Sequence, residues 1–148
     1  MYSVWKRTVP PVSLATFDAP DREKCTSRRA RTNTPLQALV LLNDPTYVEA
    51  SRTLAQHMLT QGGNDPGKRI HYAYQWALSR DPAPKESQIL VELAEKELTH
   101  YSQDKEAALK LLKIGQSPFD SNLNASELAA WATVASTILN LDETVTKE

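Results

Sequence analysis

A chain of 148 residues, 41% hydrophobic and 24% charged, has the size and composition of one globular domain with one core. Its formal net charge of −1 gives no overall field that would draw the protein to nucleic acid or to a membrane surface. No stretch reaches the roughly 18 apolar residues of a membrane span, and the N-terminus MYSVWKRTVPP lacks the charged-then-apolar pattern of an export signal.

The first 33 residues show neither helical nor strand periodicity, and prolines interrupt them at positions 10, 11 and 20. Residues 1–34 hold seven Lys or Arg and three acids, a charge of +4, whereas the remainder carries −5. The asymmetry favours a basic arm that lies against an acidic helical body. We predict that scattered apolar side chains attach this arm: Val4, Trp5, Val9, Val12, Leu14 and Phe17.

Helical signals begin at the sequence TPLQ. Thr34 can cap a helix, Pro35 suits its first position, and Gln37 stands where a capping box places Glu or Gln. An apolar run follows and predicts a short, largely buried helix, with Leu36, Leu39, Val40, Leu41 and Leu42.

Similar signals predict the later helices. Asp44-Pro45 starts a helix that Gly62 and Gly63 end, and Asp65-Pro66 starts one that reaches about Arg80. Further helices are expected from about Pro84 to Tyr101, from Asp104 to Ile114 and after Asn124, while the tail LDETVTKE is expected to fray. No segment indicates a strand. We predict an all-α, single compact domain of about five to six helices, with an irregular arm over residues 1–33 and a helical domain over 34–148.

The segment DAPDREKCTSRRARTNTP, residues 18–35, concentrates the candidate chemistry. Its Cys25 is the only cysteine, which excludes an internal disulfide, a cysteine-only zinc site and a CxxCH haem attachment in this chain. Neighbouring cations favour a reactive thiolate, but no histidine lies nearby in sequence to act as its base. We therefore favour a buried, inert thiol that anchors the arm.

The arginines of this segment allow two interpretations. Together with Asn33 and Thr34 they lead into a helix N-terminus, where guanidinium groups and free amides could hold a carboxylate, sulfate or phosphate. The candidate anion-binding residues are Arg22, Arg28, Arg29, Arg31, Asn33 and Thr34. We favour the alternative, in which acids of the chain pair with these arginines and the arm is held by structural contacts. The candidate structural contacts are Trp5, Phe17, Asp18, Asp21 and Cys25.

Other sites find little support in the sequence. The histidines, His57, His71 and His100, lie on different predicted helices without the spacing of a metal-binding pair, so we predict structural roles and no metal site. Glycine-rich phosphate loops are absent. Trp5 and the basic residues of the arm offer only a faint nucleic-acid pattern, against which the acidic remainder argues. The acids Asp142 and Glu143 are expected to be solvated.

Several stretches resemble one family. WKRTVPP, TFDAPDRE-C and RARTNTPLQALVLLNDP, then RIHYAYQWALSRDPAPKE and the C-terminal ELAAWATVASTILNLDETVTKE, are similar to the PSD-one family. This is a domain of unknown function at the C-terminus of large planctomycete-type cytochrome c proteins. Ala83 departs from the family, which often has a hydroxyl cap there. The resemblance implies that the chain is the C-terminal part of a longer, exported or periplasmic protein with a c-type haem in an upstream domain, and that this chain itself holds no cofactor.

The resemblance carries over no catalytic residues. We therefore expect a non-catalytic interaction or scaffold module whose partners are upstream domains of the same polypeptide. The alternative is a part of a polysaccharide-oxidising or -processing enzyme, in which the arginines bind sulfate or uronate groups of an anionic polysaccharide. A nucleic-acid adaptor is a third, disfavoured hypothesis.

Overall fold

The computed structural model describes residues 11–20, 22–28 and 30–146, and within them it contains eight α-helices and no strand. The predicted all-α fold is confirmed. The structure adds one short helix at each end to the five or six expected. The helices are α1 (Val12–Thr16), α2 (Pro35–Asn43), α3 (Pro45–Gln61), α4 (Pro66–Leu78), α5 (Pro84–Gln103), α6 (Lys105–Leu112), α7 (Ala125–Leu139) and α8 (Asp142–Thr146).

Capping residues explain where the main helices begin. The Thr34 hydroxyl accepts a hydrogen bond from the Gln37 amide at 3.3 Å, and the Gln37 side-chain oxygen accepts one from the Thr34 amide at 2.8 Å. This confirms the predicted capping box. Asp44 and Asp65 cap α3 and α4 by accepting bonds from amides of their first turns. Helix α5 has no hydroxyl cap, and the Ala83 amide donates instead to the carboxylate of Glu86 at 2.7 Å.

Helix α7 forms the centre of the molecule. It packs most extensively against α3, α5 and α6, and its side chains are buried nearly all round, which is typical of a helix enclosed by others. Of the residues predicted to face the core from this helix, five are buried, namely Leu128, Trp131, Ala132, Ala135 and Ile138, and Leu139 is partly buried.

The expectation that α2 is largely buried is wrong. Its single buried residue is Gln37, whereas Leu36, Leu39 and Leu42 are 58%, 57% and 48% exposed. Helix α2 packs on α3 and α7, so its core-facing side is covered and its other side faces solvent. An apolar composition all round a helix does not specify how many neighbours cover it.

The arm is less irregular than expected, because α1 forms within it. Five residues are too few to show a helical period in the sequence. Phe17 packs against Tyr47 of α3, with ring centroids 5.7 Å apart. Val12 and Leu14 are 79% and 38% exposed, so the expectation that they anchor the arm is wrong. The other predicted anchors, Val4, Trp5 and Val9, lie outside the described residues.

The C-terminal tail does not fray through residue 146. Helix α8 packs on α4 and α7. Its Asp142 accepts a hydrogen bond from the Asn33 side chain at 2.6 Å, and Glu143 pairs with Arg80 at 2.7 Å. The two acids that we expected to be solvated therefore connect α8 to the arm and to Arg80, which follows α4. Across the described part of the chain, no helix combines the length and apolarity needed to cross a membrane.

Candidate functional site

The arginine-rich segment lies at the surface wherever the structure describes it. Arg22, Arg28 and Arg31 are exposed. Cys25 is exposed as well, so the expectation of a buried thiol is wrong. The segment has almost no apolar side chain that could cover the sulfur. Three predicted site residues, Trp5, Asp21 and Arg29, lie outside the described residues.

Gln37 joins the arm to the start of α2. Its side chain is 1% exposed, and its amide nitrogen donates to the Thr16 carbonyl at 2.8 Å and to the Thr32 hydroxyl at 3.0 Å. The Asp18 carboxylate in turn accepts hydrogen bonds from the Thr32 amide and hydroxyl at 2.8 and 2.7 Å. The structure thus brings Asp18 and Thr34, two predicted site residues, to one junction around a buried glutamine.

Groups of the chain itself fill this junction. The Thr34 hydroxyl is engaged by the Gln37 amide, and the Asn33 side chain donates to Asp142. The carboxylate of Asp18 is bound there too, and it would repel a second anion. The acids Asp18 and Asp142 thus bind Thr32 and Asn33 of the arm, and the pairing of acids with the arginines stays a prediction. Binding of an external anion stays a prediction.

A row of leucines forms the most apolar exposed feature near the junction. Leu36, Leu39 and Leu42 recur every third residue on one side of α2, and each is about half exposed or more. We call these three side chains the leucine face. Such an exposed row on one helix is typical of a surface that another element covers.

A cavity of about 190 Å³ adjoins the leucine face, since Leu42 is one of its lining residues. Its walls are mainly apolar and come from α2, α3, α5, α6 and α7. They include Val48, Tyr101, Leu111 and Ala132. An apolar cavity of about 150 Å³ holds a benzene molecule, so this one has room for a single bulky side chain.

A second concave surface runs along α3. Its volume is about 610 Å³, and one stripe of α3, Trp76 of α4 and residues 115–117 line it. We call it the α3 groove. Trp76 is 65% exposed and stacks on His57, with ring centroids 5.9 Å apart and planes 17° apart.

Two charged side chains of α3 fix the loop that forms one wall of this groove. The guanidinium of Arg52 donates to the carbonyls of Leu112, Ile114 and Ser117. The carboxylate of Glu49 accepts from the amides of Gln116 and Ser117 at 2.6 and 3.3 Å. Arg52 is 3% exposed, which is unusual for arginine, and its Nε has no partner among the described residues.

Glu49 is the negative charge of the groove. Hydrogen bonds from Ser117 and from the Gln116 amide lower the pKa of its carboxyl group, so it is ionised at neutral pH. Gly115 passes directly beside it with φ of 104°, and a Cβ there would lie 2.2 Å from a Glu49 oxygen. The carboxylate and the loop therefore approach as closely as a glycine permits.

The histidines lie apart from one another. His57 stacks on Trp76, His71 pairs with Asp81 at 2.8 Å, and His100 packs edge-on against Tyr101. The described residues contain no group of three or more His, Cys, Asp or Glu side chains placed to hold a metal ion.

Trp76, Glu49 and Arg52 were not predicted from the sequence. Trp76 falls outside the inward stripe of α4, which includes Ile70, Ala73 and Tyr74, and a large aromatic residue off the core stripe is a usable signal for a surface site. No comparable signal exists for Glu49 and Arg52. Their partners are backbone groups sixty or more residues away, which a local pattern does not reveal.

One family model matches the chain. It is PSD1, described as a protein of unknown function (DUF1553), and it covers residues 1–94. The match confirms the resemblance over this part, and the similarity noted for the C-terminal stretch stays a prediction. No curated protein and no solved structure gave a significant match.

Proposed function

For this chain, which belongs to the PSD1 family of proteins of unknown function (DUF1553), we propose a role as a non-catalytic interaction module. Its leucine face docks against a domain that precedes it in the same polypeptide. The context that we propose is the one implied by the resemblance: an exported protein that carries a c-type haem in an upstream domain.

The leucine face is the observation that carries this proposal. Burying a leucine side chain completely contributes about 1.5–3 kcal/mol. Leu36 and Leu39 keep more than half of their surface exposed, so covering them would contribute about 1 kcal/mol each. The adjoining cavity offers a socket for one apolar side chain of the docked domain. A few such anchors dominate the stability of most interfaces.

The path of the arm favours a domain on the same polypeptide as the occupant. Gln37 bonds to the Thr16 carbonyl at the end of α1, and α1 is only five residues long. The described chain therefore starts at Pro11, within about 18 Å of the first turn of α2. Gln37 and the leucine face lie on opposite sides of α2, but a domain attached through the arm would still be tethered close to this helix, which raises its effective concentration there.

Unfolding measurements on the parent polypeptide and on the chain alone test this proposal. The double substitution Leu36→Gln with Leu39→Gln is expected to lower the unfolding midpoint of this module in the parent polypeptide. In the chain alone it should change the midpoint little, because both side chains already contact water. Ile89→Gln on α5 is the matched control, since Ile89 is 54% exposed but lies outside the leucine face.

Two results would overturn the proposal. One is an equal effect of the double substitution in the parent polypeptide and in the chain alone. The other is concentration-dependent dimerisation of the chain alone that the double substitution abolishes, because the occupant of the leucine face would then be a second copy.

A further inference from the structure

The cavity beside the leucine face has an outer and an inner end. Leu42, which is 48% exposed, lies at the outer end together with the partly buried Thr133 and Ser136. Ser51 and Arg52 line the cavity as well, and each of them is only 3% exposed. A side chain that enters past Leu42 therefore brings its tip towards Ser51 and Arg52.

The inner end carries hydrogen-bonding groups. The Ser51 hydroxyl donates its proton to the Tyr47 carbonyl at 2.8 Å, which leaves the Ser51 oxygen free to accept a bond. Nε of Arg52 is buried without a hydrogen-bond partner among the described residues. A tip that offers both a proton and lone pairs suits this end, and a hydroxyl group offers both.

A neutral tip suits the inner end better than a charged one. The guanidinium of Arg52 already donates to three loop carbonyls. Its charge also has an acidic neighbour, since the pKa of Glu49 is lowered by hydrogen bonds from Ser117 and Gln116 and, in addition, by Arg52. A charged tip would lose its hydration between the mainly apolar walls of the cavity.

The volume of the cavity fits a six-membered ring that carries a small substituent. It is about 190 Å³, somewhat more than the roughly 150 Å³ of a cavity that holds benzene. Tyrosine is the side chain that combines such a ring with a neutral hydroxyl, and a buried tyrosine hydroxyl usually has a hydrogen-bond partner.

We propose that this cavity is the socket for a tyrosine of the preceding domain, whose ring lies between the apolar walls and whose hydroxyl donates to Ser51 beside Arg52. The source of the tyrosine rests on the docking proposed above. The preference of the cavity for a phenol ring is a property of the chain alone, so it is measured separately from docking.

The test uses p-cresol, which is the tyrosine side chain as a free molecule, added to the ¹⁵N-labelled chain and followed by NMR. We expect shifts of the Ser51 and Ala132 amides and a dissociation constant on the order of 1 mM. p-Xylene has nearly the same shape, with a methyl group in place of the hydroxyl. It should bind at least about threefold more weakly, because it leaves the groups at the inner end without a partner.

Ser51 and Ser102 provide a matched pair of variants. Ser51→Ala removes the acceptor and should weaken binding of p-cresol about threefold, while binding of p-xylene stays within about twofold. The hydroxyl of Ser102 also donates to the carbonyl four residues earlier, at 2.6 Å, but Ser102 is exposed on α5 and does not line the cavity. Ser102→Ala should therefore leave the affinity for both probes unchanged.

A second pair tests the place of binding. Ser136→Leu adds bulk at the outer end and should abolish binding of both probes, whereas Thr137→Leu, at the exposed next position of α7, should not. In the parent polypeptide the tyrosine fills the cavity. The broadening of the p-cresol resonances that Ser136→Leu removes in the chain alone should therefore be absent there.

The phenol preference is overturned if p-xylene binds as tightly as p-cresol, if Ser51→Ala leaves p-cresol binding unchanged, or if up to about 10 mM p-cresol causes no shift. Docking by a purely apolar side chain would survive these results. Equal binding of p-cresol to the chain alone and to the parent polypeptide overturns the tyrosine assignment. Docking itself then stands or falls with the substitutions in the leucine face.

Discussion

Gln37 shows how one buried polar side chain fixes an otherwise irregular segment. Its side chain bonds to the Thr16 carbonyl, the Thr32 hydroxyl and the Thr34 amide. Since it is nearly fully buried, no water can replace these partners without local opening. The arm is therefore held by the buried Gln37, which was not among the predicted contacts, as well as by Asp18, which was.

Replacing Gln37 by alanine should loosen the arm. The change leaves the Thr34 amide and Thr16 carbonyl without their partner and should lower the free energy of unfolding by about 1–2 kcal/mol. Amide exchange of residues 11–20 should accelerate more than that of α5. Gln88→Ala is the control, because the Gln88 side chain bonds only to Glu92 on the surface of α5. Equal effects of the two substitutions would contradict this role of Gln37.

Gly115 is the residue on which the loop of the α3 groove depends. At Gly115 the backbone has a positive φ of 104°, and an added Cβ would lie 2.2 Å from a Glu49 oxygen. Because Gly115→Ala meets both obstacles, we expect it to reduce the free energy of unfolding by about 3 kcal/mol. Gly63→Ala separates the two causes, since Gly63 has φ of 81° but no atom within 4 Å of the added Cβ. Gly63→Ala should lower the free energy of unfolding by about 1 kcal/mol. Urea unfolding measures both, and equal costs would show that the contact with Glu49 is unimportant.

At the scale of elements, Arg80 connects three helices. Arg80 follows α4, and its guanidinium lies over the ring of Tyr74, 5.0 Å from the ring centroid. It pairs with Glu86 in the first turn of α5 at 2.9 Å and with Glu143 of α8 at 2.7 Å. The hydrogen bond from Arg80, together with that from the Ala83 amide, lowers the pKa of Glu86 from 4.5 to about 2.

This shift predicts a pH dependence of stability. The pKa of Glu86 is lower in the folded state than in the unfolded state, so its contribution is present above pH 4.5 and is lost as the pH falls towards about 2. Glu86→Gln should therefore destabilise the protein at pH 7, by about 1 kcal/mol because the pair is about one-third exposed to solvent. The difference from the wild type should shrink as the pH falls towards about 2 and vanish below it. Chemical unfolding at several pH values measures this difference in stability, with Glu95→Gln, at an exposed position, as the control. A difference that does not change with pH would contradict the role given to the ionised Glu86 carboxylate.

Helix boundaries could be predicted from the sequence, whereas burial could not. Thr34, Asp44, Asp65 and Asn124 signal helix starts through bonds to amides two or three residues away, so a local sequence suffices. The exposure of Leu39 depends on which helices pack beside α2, and that is settled by contacts distant in sequence. The α3 groove likewise depends on bonds between α3 and residues 112–117, which explains why it was not predicted.

At the scale of the whole molecule, the arm and helix α8 lie next to each other. Asn33 binds Asp142, and the arm joins α2 through Gln37. Residues 1–34 carry a charge of +4 and the remainder carries −5. Specific hydrogen bonds also join the arm to α2 and to α8. The leucine face lies on α2, directly after this arm. The proposal that a preceding domain docks on α2 rests on this arrangement.

Amide hydrogen exchange of α2 tests the docking proposal most directly. The exchange of residues 35–43 would be compared between the chain alone and the parent polypeptide, with the outer face of α5 around Ile89 as internal reference. We predict that these amides exchange at least about tenfold more slowly in the parent polypeptide, because covering the leucine face stabilises α2 against local opening. Equal exchange of α2 in the two proteins would contradict docking through the leucine face.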